Sequence, residues 1–413
     1  MHIILFEDAQ ATQLFPATIA RPAFAINVGT YRLIDLACRL SDHVEVIVRP
    51  YLRELASRDF PFLWKPEMGN RSEPILILNA RVVPHVDLID QLSKLIQQER
   101  SGVVSTPHGV ACALFTGRNP FPNGIIGVSQ LTGIIDDMQL ERLDIQVPML
   151  EYAHDIVRHQ LRIMNDNLND RLRNGEYREI ADGVFSADSK PLGQHAVTDS
   201  SEGPIVFESG VHVGPFCYFK GPVYVGPKAK IIEYSALKDA VSLGGTTKVG
   251  GEVEASIIEP YSNKQHHGFL GHSYLGSWIN LGAGTSNSDL KNTYGEVVME
   301  YSGKKVKTGM QFVGSFIGDY AKTAINTSIF TGKTIGACSM LYGFITTNVP
   351  SFVNYARTFG QVTETAVDTL VQTQARMFAR RGMEQRPCDV QLLRDIYEMT
   401  KHERQLASEP LSL

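Results

Sequence analysis

From Val213 onward an apolar residue returns every six positions: Val213, Phe219, Val225, Ile231, Leu237, Leu243, Val249 and Ala255. Glycine directly follows Val213, Val225, Leu243 and Val249. After a phase shift, Phe269, Leu275 and Leu281 continue the period, and a third register holds Ile317, Thr323, Ile329, Ile335 and Leu341. A six-residue apolar repeat with small neighbours is the signature of a parallel β-helix, each hexad forming one side of a coil. One inward aliphatic residue per side stacks on those above and below, and small residues let the chain turn the corner. The interruptions near 256–268 and 286–312 are expected to be loops leaving the coil, and loops on a rigid scaffold are where sites are usually built.

The rest of the chain reads differently. Over 1–150, apolar runs (IILF at 3–6, VEVIV at 44–48, ILIL at 75–78) alternate with stretches of helical spacing such as Leu33, Leu36, Ala37 and Leu40. Strands alternating with helices indicate an α/β domain. Residues 151–184 are expected to be a helical connector, 185–360 the β-helix, and 361–413 helices that pack on the coil or cap its open end. The helical spacing there begins at Val362 and resumes at Val390 after Gly382 and Pro387.

Composition excludes several classes. A net charge of -5 without a long basic run argues against nucleic acid. Five scattered cysteines without C-x-x-C spacing argue against disulfides and against a structural zinc. MHIILFEDAQ turns acidic too early for a signal peptide and reads as a buried strand. No apolar run reaches the ~20 residues that span a bilayer, so no membrane partner is expected and the cytoplasm is the expected location.

The chemistry-bearing stretch is SNKQHHGFLGHSYLGSWINLGAGT, residues 262–285. It holds His266, His267 and His272 with no carboxylate or thiolate at ligand spacing, so no metal is expected there. A histidine titrates near neutrality and suits a general base. His267 is expected to be a bystander. Lys304, Lys305 and Lys307 are a solvated edge by default, with contact to a substrate phosphate as the functional alternative.

HHGFLGHSYLGSWINLGAGT and the following GKKVKTGMQFVGSFIGDYAKTAINTSIFTGKTIGA resemble the bifunctional sugar-1-phosphate nucleotidylyltransferase/acetyltransferase family, which makes UDP-N-acetylglucosamine. The resemblance implies a left-handed β-helix, acetyl-CoA as acyl donor, a sugar phosphate or nucleotide sugar as acceptor, and a homotrimer. Aligning N-L-G-A-G-T sets Asn280 and Ala283 on the family's acetyl-CoA positions, Asn280 also among its catalytic residues, and His266 on its catalytic histidine. Backbone N–H groups at Gly282, Ala283 and Gly284 are candidate oxyanion donors. Phe269 falls on the family's tyrosine and Asp289 on its substrate-pocket asparagine. Phenylalanine lacks the hydroxyl that would bond a sugar phosphate. A second register makes His272 and Tyr274 the functional pair.

In that family the N-terminal domain is a Rossmann-like nucleotidylyltransferase. FPATIARP at 15–22 resembles its P-L-T-x-x-x-P-K block at Pro16, Thr18 and Pro22, and ILNARVV at 77–83 lies where its metal-binding L-x-G-D strand would be. The departures fall on functional positions: FEDAQATQLF lacks the glycine-rich phosphate loop, Ala23 replaces a lysine for which Arg21 is the nearby substitute, and Asn79-Ala80-Arg81 lacks the metal aspartate. Mg²⁺ is expected only if this domain is active. The alternatives to acetyl transfer are a sugar-1-phosphate nucleotidylyltransferase and a non-catalytic ligand sensor or scaffold.

Overall fold

A computed structural model describes residues 1–63, 73–98, 100–116, 127–189 and 192–407. The chain divides into two compact units, one of Met1–Leu14 with Arg21–Tyr152, the other of Phe15–Ala20 with Ala153–Leu413.

The first unit is built on β1 (His2–Phe6), β2 (Val44–Ile47), β3 (Ile75–Asn79), β4 (Gly102–Thr106) and β5 (Gly109–Phe115), in the order β2-β1-β3-β5-β4. β1 runs parallel to β2 and β3, while β5 runs antiparallel to both β3 and β4. All five residues of β3 are buried, which explains a strand written as an unbroken apolar run. Helices α1 (Leu33–Leu40), α2 (Arg53–Asp59), α3 (Val86–Gln97) and α4 (Val128–Asp137) follow the strands. Leu36 of α1 packs with Val86 and Ile89 of α3, and Leu131 and Ile135 of α4 pack on Phe6, Ile77 and Ala113. Glu7 and Asp8 directly follow β1.

The second unit opens with α5 (His154–Asn174) and continues as the β-helix. Three ladders of short parallel strands form its sides. Phe219, Leu237, Val253 and Leu270 stack inward on one side, Val225, Leu243, Ile258 and Leu275 on the second, and Val213, Ile231 and Val249 on the third. A regular turn is eighteen residues, as from Phe219 to Leu237. That repeat is the three-sided coil the hexads implied.

The structure corrects the expectation for the first break. Residues 256–268 do not leave the coil: Ile257–Ile258 and Asn263–Lys264 are rungs of it. The phase shift instead comes from shortened corners, since Leu237 pairs with Val253 only sixteen residues on, and Ser242 with Ile257 after fifteen. Ala255 therefore sits at a corner with φ +48°, and Leu270, not Phe269, points inward opposite Val253. The second break does leave the coil. Tyr274 pairs with Phe316, forty-two residues later, and between them a hairpin of Val298–Tyr301 and Lys304–Lys307 stands off the coil.

The C-terminal helical pattern begins later than its apolar spacing suggested. Gln361–Glu364 is a strand antiparallel to Val353–Ala356, because Val362 faces the core of the last coil. Then come α6 (Val367–Ala379), α7 (Pro387–Met399) and α8 (Lys401–Ala407). Phe378 of α6 packs on Trp278 at 4.5 Å, and Trp278 stacks flat on Tyr261 at 4.4 Å. No helix among the described residues is long and apolar enough to cross a membrane.

Candidate active site

The chain leaves the coil after Asn287 and rejoins it at Val313, and the two ends of that excursion clasp His272. Val313 N–H donates to the Asp289 carbonyl at 2.8 Å, and Gly314 N–H donates to the His272 carbonyl at 2.9 Å. His272 sits at a corner with φ +45°, a left-handed conformation that surrounding structure must hold in a residue with a Cβ. Its Nδ1 lies 2.9 Å from Asp289 Oδ2, and its ring stacks on Phe312 at 5.2 Å. Histidine and aspartate side chains are 12% and 13% exposed, sheltered yet reachable. A carboxylate on Nδ1 fixes the proton there and leaves Nε2 free to accept another.

Gly271 explains how so much fits at one corner. A Cβ on it would lie 2.2 Å from Asp289 Oδ2 and 2.5 Å from the Phe269 ring. Asn287 grips the same glycine from both sides, its Oδ1 accepting from Gly271 N–H at 2.9 Å and its Nδ2 donating to Gly271 O at 3.0 Å. The structure thus brings Phe269, His272 and Asp289 together. Asn287 and Phe312 were missed from sequence; both flank the excursion, whose ends no spacing rule pairs. Tyr274 is fully buried with its hydroxyl on Glu259 at 3.0 Å, so it is a core residue and not His272's partner in a pocket.

A second corner holds the other predicted residues. His266 and His267 are exposed, and neither ring hydrogen-bonds a described residue. The N–H of Gly284 donates to the His267 carbonyl at 3.0 Å, so this corner lies directly beneath the Gly282–Gly284 corner. Of the three candidate oxyanion donors, Gly282 N–H is used by Thr323 Oγ1 at 2.9 Å and Gly284 N–H by His267. The N–H of Ala283 has no partner among the described residues. Asn280 is exposed on the adjoining face, bridged to Asn263 and Lys322. Beneath His266 lies a residue the hexads hid: Lys264 points into the coil, and its Nζ donates to Gly250 O at 2.6 Å and His266 O at 3.1 Å. Burial pushes its ammonium down to about 8. Lys304 and Lys305 are exposed on the hairpin, and their ammonium groups contact none of these residues.

At the end of β1 the expected phosphate loop is replaced by paired charge. Glu7 accepts from Arg49 at 2.9 Å and from Ala23 N–H at 2.8 Å. Asp8 accepts from Arg81 Nε at 2.9 Å and Nη2 at 2.7 Å, and from Asn79 Nδ2 at 2.8 Å. Arg81 is fully buried, its remaining donors on Leu150 O, Gln10 and His108 O.

Residues 3–172 match the family model for sugar nucleotidyl transferases. The β1–α5 segment is similar to that family over this stretch. Among curated relatives, the bifunctional sugar-1-phosphate nucleotidylyltransferase/acetyltransferase of Sulfurisphaera tokodaii is 31% identical over 135 residues, 33% of each chain. Bifunctional protein GlmU of Thermotoga petrophila is 26% identical over 219 residues, 51% of this chain and 42% of the relative. These relatives are transferases, and the matches span about a third to two fifths of their length. A solved UDP-N-acetylglucosamine acyltransferase from Francisella novicida shares 13% identity over 54% of this chain and 81% of that one, at a TM-score of 0.23, too low to carry an argument.

Within residues 3–172 the sequence-predicted positions divide between the two units. Pro16 and Thr18 group with the second unit, where Pro16 Cβ lies 3.1 Å from where a Cβ on Gly318 would be. Arg21 and Pro22 belong to the first unit, and the Arg21 carbonyl accepts from Arg49 at 3.1 Å. Asn79, in the metal-aspartate position, is a buried amide between Asp8 and Val110 O. The described residues do not fit Mg²⁺: the adjacent carboxylates Glu7 and Asp8 already carry the guanidinium groups of Arg49 and Arg81, whose charge opposes a cation.

Proposed function

We propose that the chain transfers an acetyl group from acetyl-CoA to a sugar phosphate or nucleotide sugar, with His272 as general base, working as a homotrimer. The observation that supports this most is the 2.9 Å contact of His272 Nδ1 with Asp289, a histidine held in one tautomer at a corner built to hold it. Acetyl-CoA brings the activated thioester. His272 Nε2 takes the proton as the acceptor amine or hydroxyl bonds the acetyl carbon, Asp289 steadies the resulting imidazolium, and the C–S bond then breaks to release coenzyme A, whose thiolate takes that proton. Phe269 lends an apolar wall where a tyrosine would bond the acceptor, which favours an acceptor other than the family's usual one. The nucleotidylyl reaction has no part in this reading, because Asp8–Arg81 fills the place of its metal and loop.

His266 is the second reading, favoured by its corner lying under Ala283, whose N–H is unspent. Thiol release from acetyl-CoA, screened over amino-sugar phosphates and nucleotide sugars, separates the two. His272→Ala is expected to lower kcat by about 10²–10⁴, with Asp289→Asn also severely impaired and His266→Ala near wild type. Full activity in His272→Ala together with loss in His266→Ala moves the base to His266. Acetyl-CoA binding with no turnover on any acceptor would support the sensor reading.

A further inference from the structure

One side of the β-helix carries lysines and arginines that no described acidic residue pairs with. The strands His212–Val213, Lys230–Ile231, Lys248–Val249 and Asn263–Lys264 pair in parallel, so His212, Lys230, Lys248 and Asn263 form one outward column. Successive rungs of such a column lie roughly 4.8 Å apart. Arg381, just past α6, donates from Nη2 to Asn263 Oδ1 at 2.9 Å, which sets its guanidinium on the rung beside Lys248, with Arg380 adjacent in the chain. None of Lys230, Lys248, Arg380 and Arg381 makes an ion pair with a described residue.

The neighbouring side shows that this is not how the fold normally treats its lysines. There Lys220 is bracketed by Asp239 at 2.8 Å and Glu202 at 2.9 Å, and Lys238 by Glu252 at 2.6 Å and Glu254 at 3.4 Å. On the basic side, burial and then the charges of Arg381, Lys230 and Arg380 push the Lys248 ammonium down. Like charges held together at a rigid surface repel, and a bound anion relieves that repulsion.

We propose that the Lys230–Lys248–Arg381 face, with Arg380, binds the diphosphate group of a small molecule. Two ammonium groups one rung apart and a guanidinium on the next offer charge along roughly 10 Å, a line that two linked phosphoryl groups fill better than a single phosphate. Arginine adds the planar fork that matches phosphate oxygens. Four cations are too few for a nucleic-acid track on a chain of net charge -5. The site is made of this face alone and does not depend on which histidine is the base.

Calorimetric titration of the full chain with inorganic pyrophosphate at low salt tests it. Lys230→Gln/Lys248→Gln and Arg380→Gln/Arg381→Gln are each expected to weaken binding at least ~10-fold, while Lys220→Gln/Lys238→Gln on the paired side binds as wild type does. Without ligand, Lys248→Gln is expected to keep or raise Tm, because it removes a like charge. Absence of pyrophosphate binding, equal binding by the variants, or a lowered Tm in Lys248→Gln each overturns the proposal, the last by making the cluster structural. Titrations with UDP and with coenzyme A then show which source of diphosphate is taken. Binding by neither that responds to the variants also overturns it. His272→Ala binds pyrophosphate normally if this site stands, whatever becomes of the acetyl-transfer reading.

Discussion

Lys264 occupies a place in the coil where the rungs below it carry Val213, Ile231 and Val249. An ammonium there, 2% exposed, loses hydration that two carbonyls only partly replace. Its pKa falls from 10.5 to about 8, so between those values the unfolded chain holds more protons than the folded one. Stability therefore rises with pH across that window, by about 3 kcal/mol in all; below about 8 the whole penalty is present. Lys264→Met is expected to lack this rise, and denaturant midpoints of both proteins at pH 7 to 10 check it. Parallel curves would mean that Lys264 is solvated. The sequence could have flagged this residue, since N-K-Q stands where the hexad was due an aliphatic. Holding the period constant instead carried the phase past it to Phe269, one residue from the true inward position at Leu270.

At the level of elements, α5 does more than connect. His154, in its first turn, places Nδ1 2.7 Å from the Tyr301 hydroxyl on the excursion hairpin, and Arg158 reaches the Thr308 carbonyl. Burial pushes His154 down to about 4, against the pull of Asp155. Its folded pKa is thus below the unfolded value of 6.5, so the neutral ring's contribution is complete above 6.5 and is lost as pH falls towards 4. Hydrogen exchange of residues 298–307 is expected to speed up as pH falls from 6.5 to 4.5, after correction for intrinsic rates, and to lose this dependence in His154→Phe. Unchanged protection across that range would show that the contact does not hold the hairpin. The coil was legible because each rung repeats a local rule. The excursion was legible only as an interruption, because what it packs against, α5 and the His272 corner, lies far away in sequence. Its effect on the site was therefore invisible: nothing in the spacing of His272, Asp289 and Phe312 announces that the ends of one loop hold one ring.

For the molecule as a whole, a segment similar to sugar nucleotidyl transferases, its Glu7 and Asp8 paired with arginines, precedes a coil in which His272 is paired with Asp289. Full-length protein with UTP, Mg²⁺ and a hexosamine 1-phosphate is expected to release no pyrophosphate above background, by a coupled phosphate assay. Turnover comparable to acetyl transfer would show that the Asp8–Arg81 pair opens to admit a metal. The departures at 6–15 and 79–81 were readable in the sequence, but the ion pairs at Glu7 and Asp8 were not, because pairs such as Asp8 with Arg81 form only when β1 and β3 lie side by side.

Phe15–Ala20 belongs to the second unit although the first unit's residues flank it on both sides in the chain. On the ribosome, this segment emerges almost at once, while Gly318, against which Pro16 packs, is 302 positions away. At roughly 5–20 residues per second the wait is on the order of 15–60 s. For that time six residues stay exposed to proteases and chaperones beside a domain that is otherwise free to fold, and a gene cut at residue 152 would separate them from the coil for good.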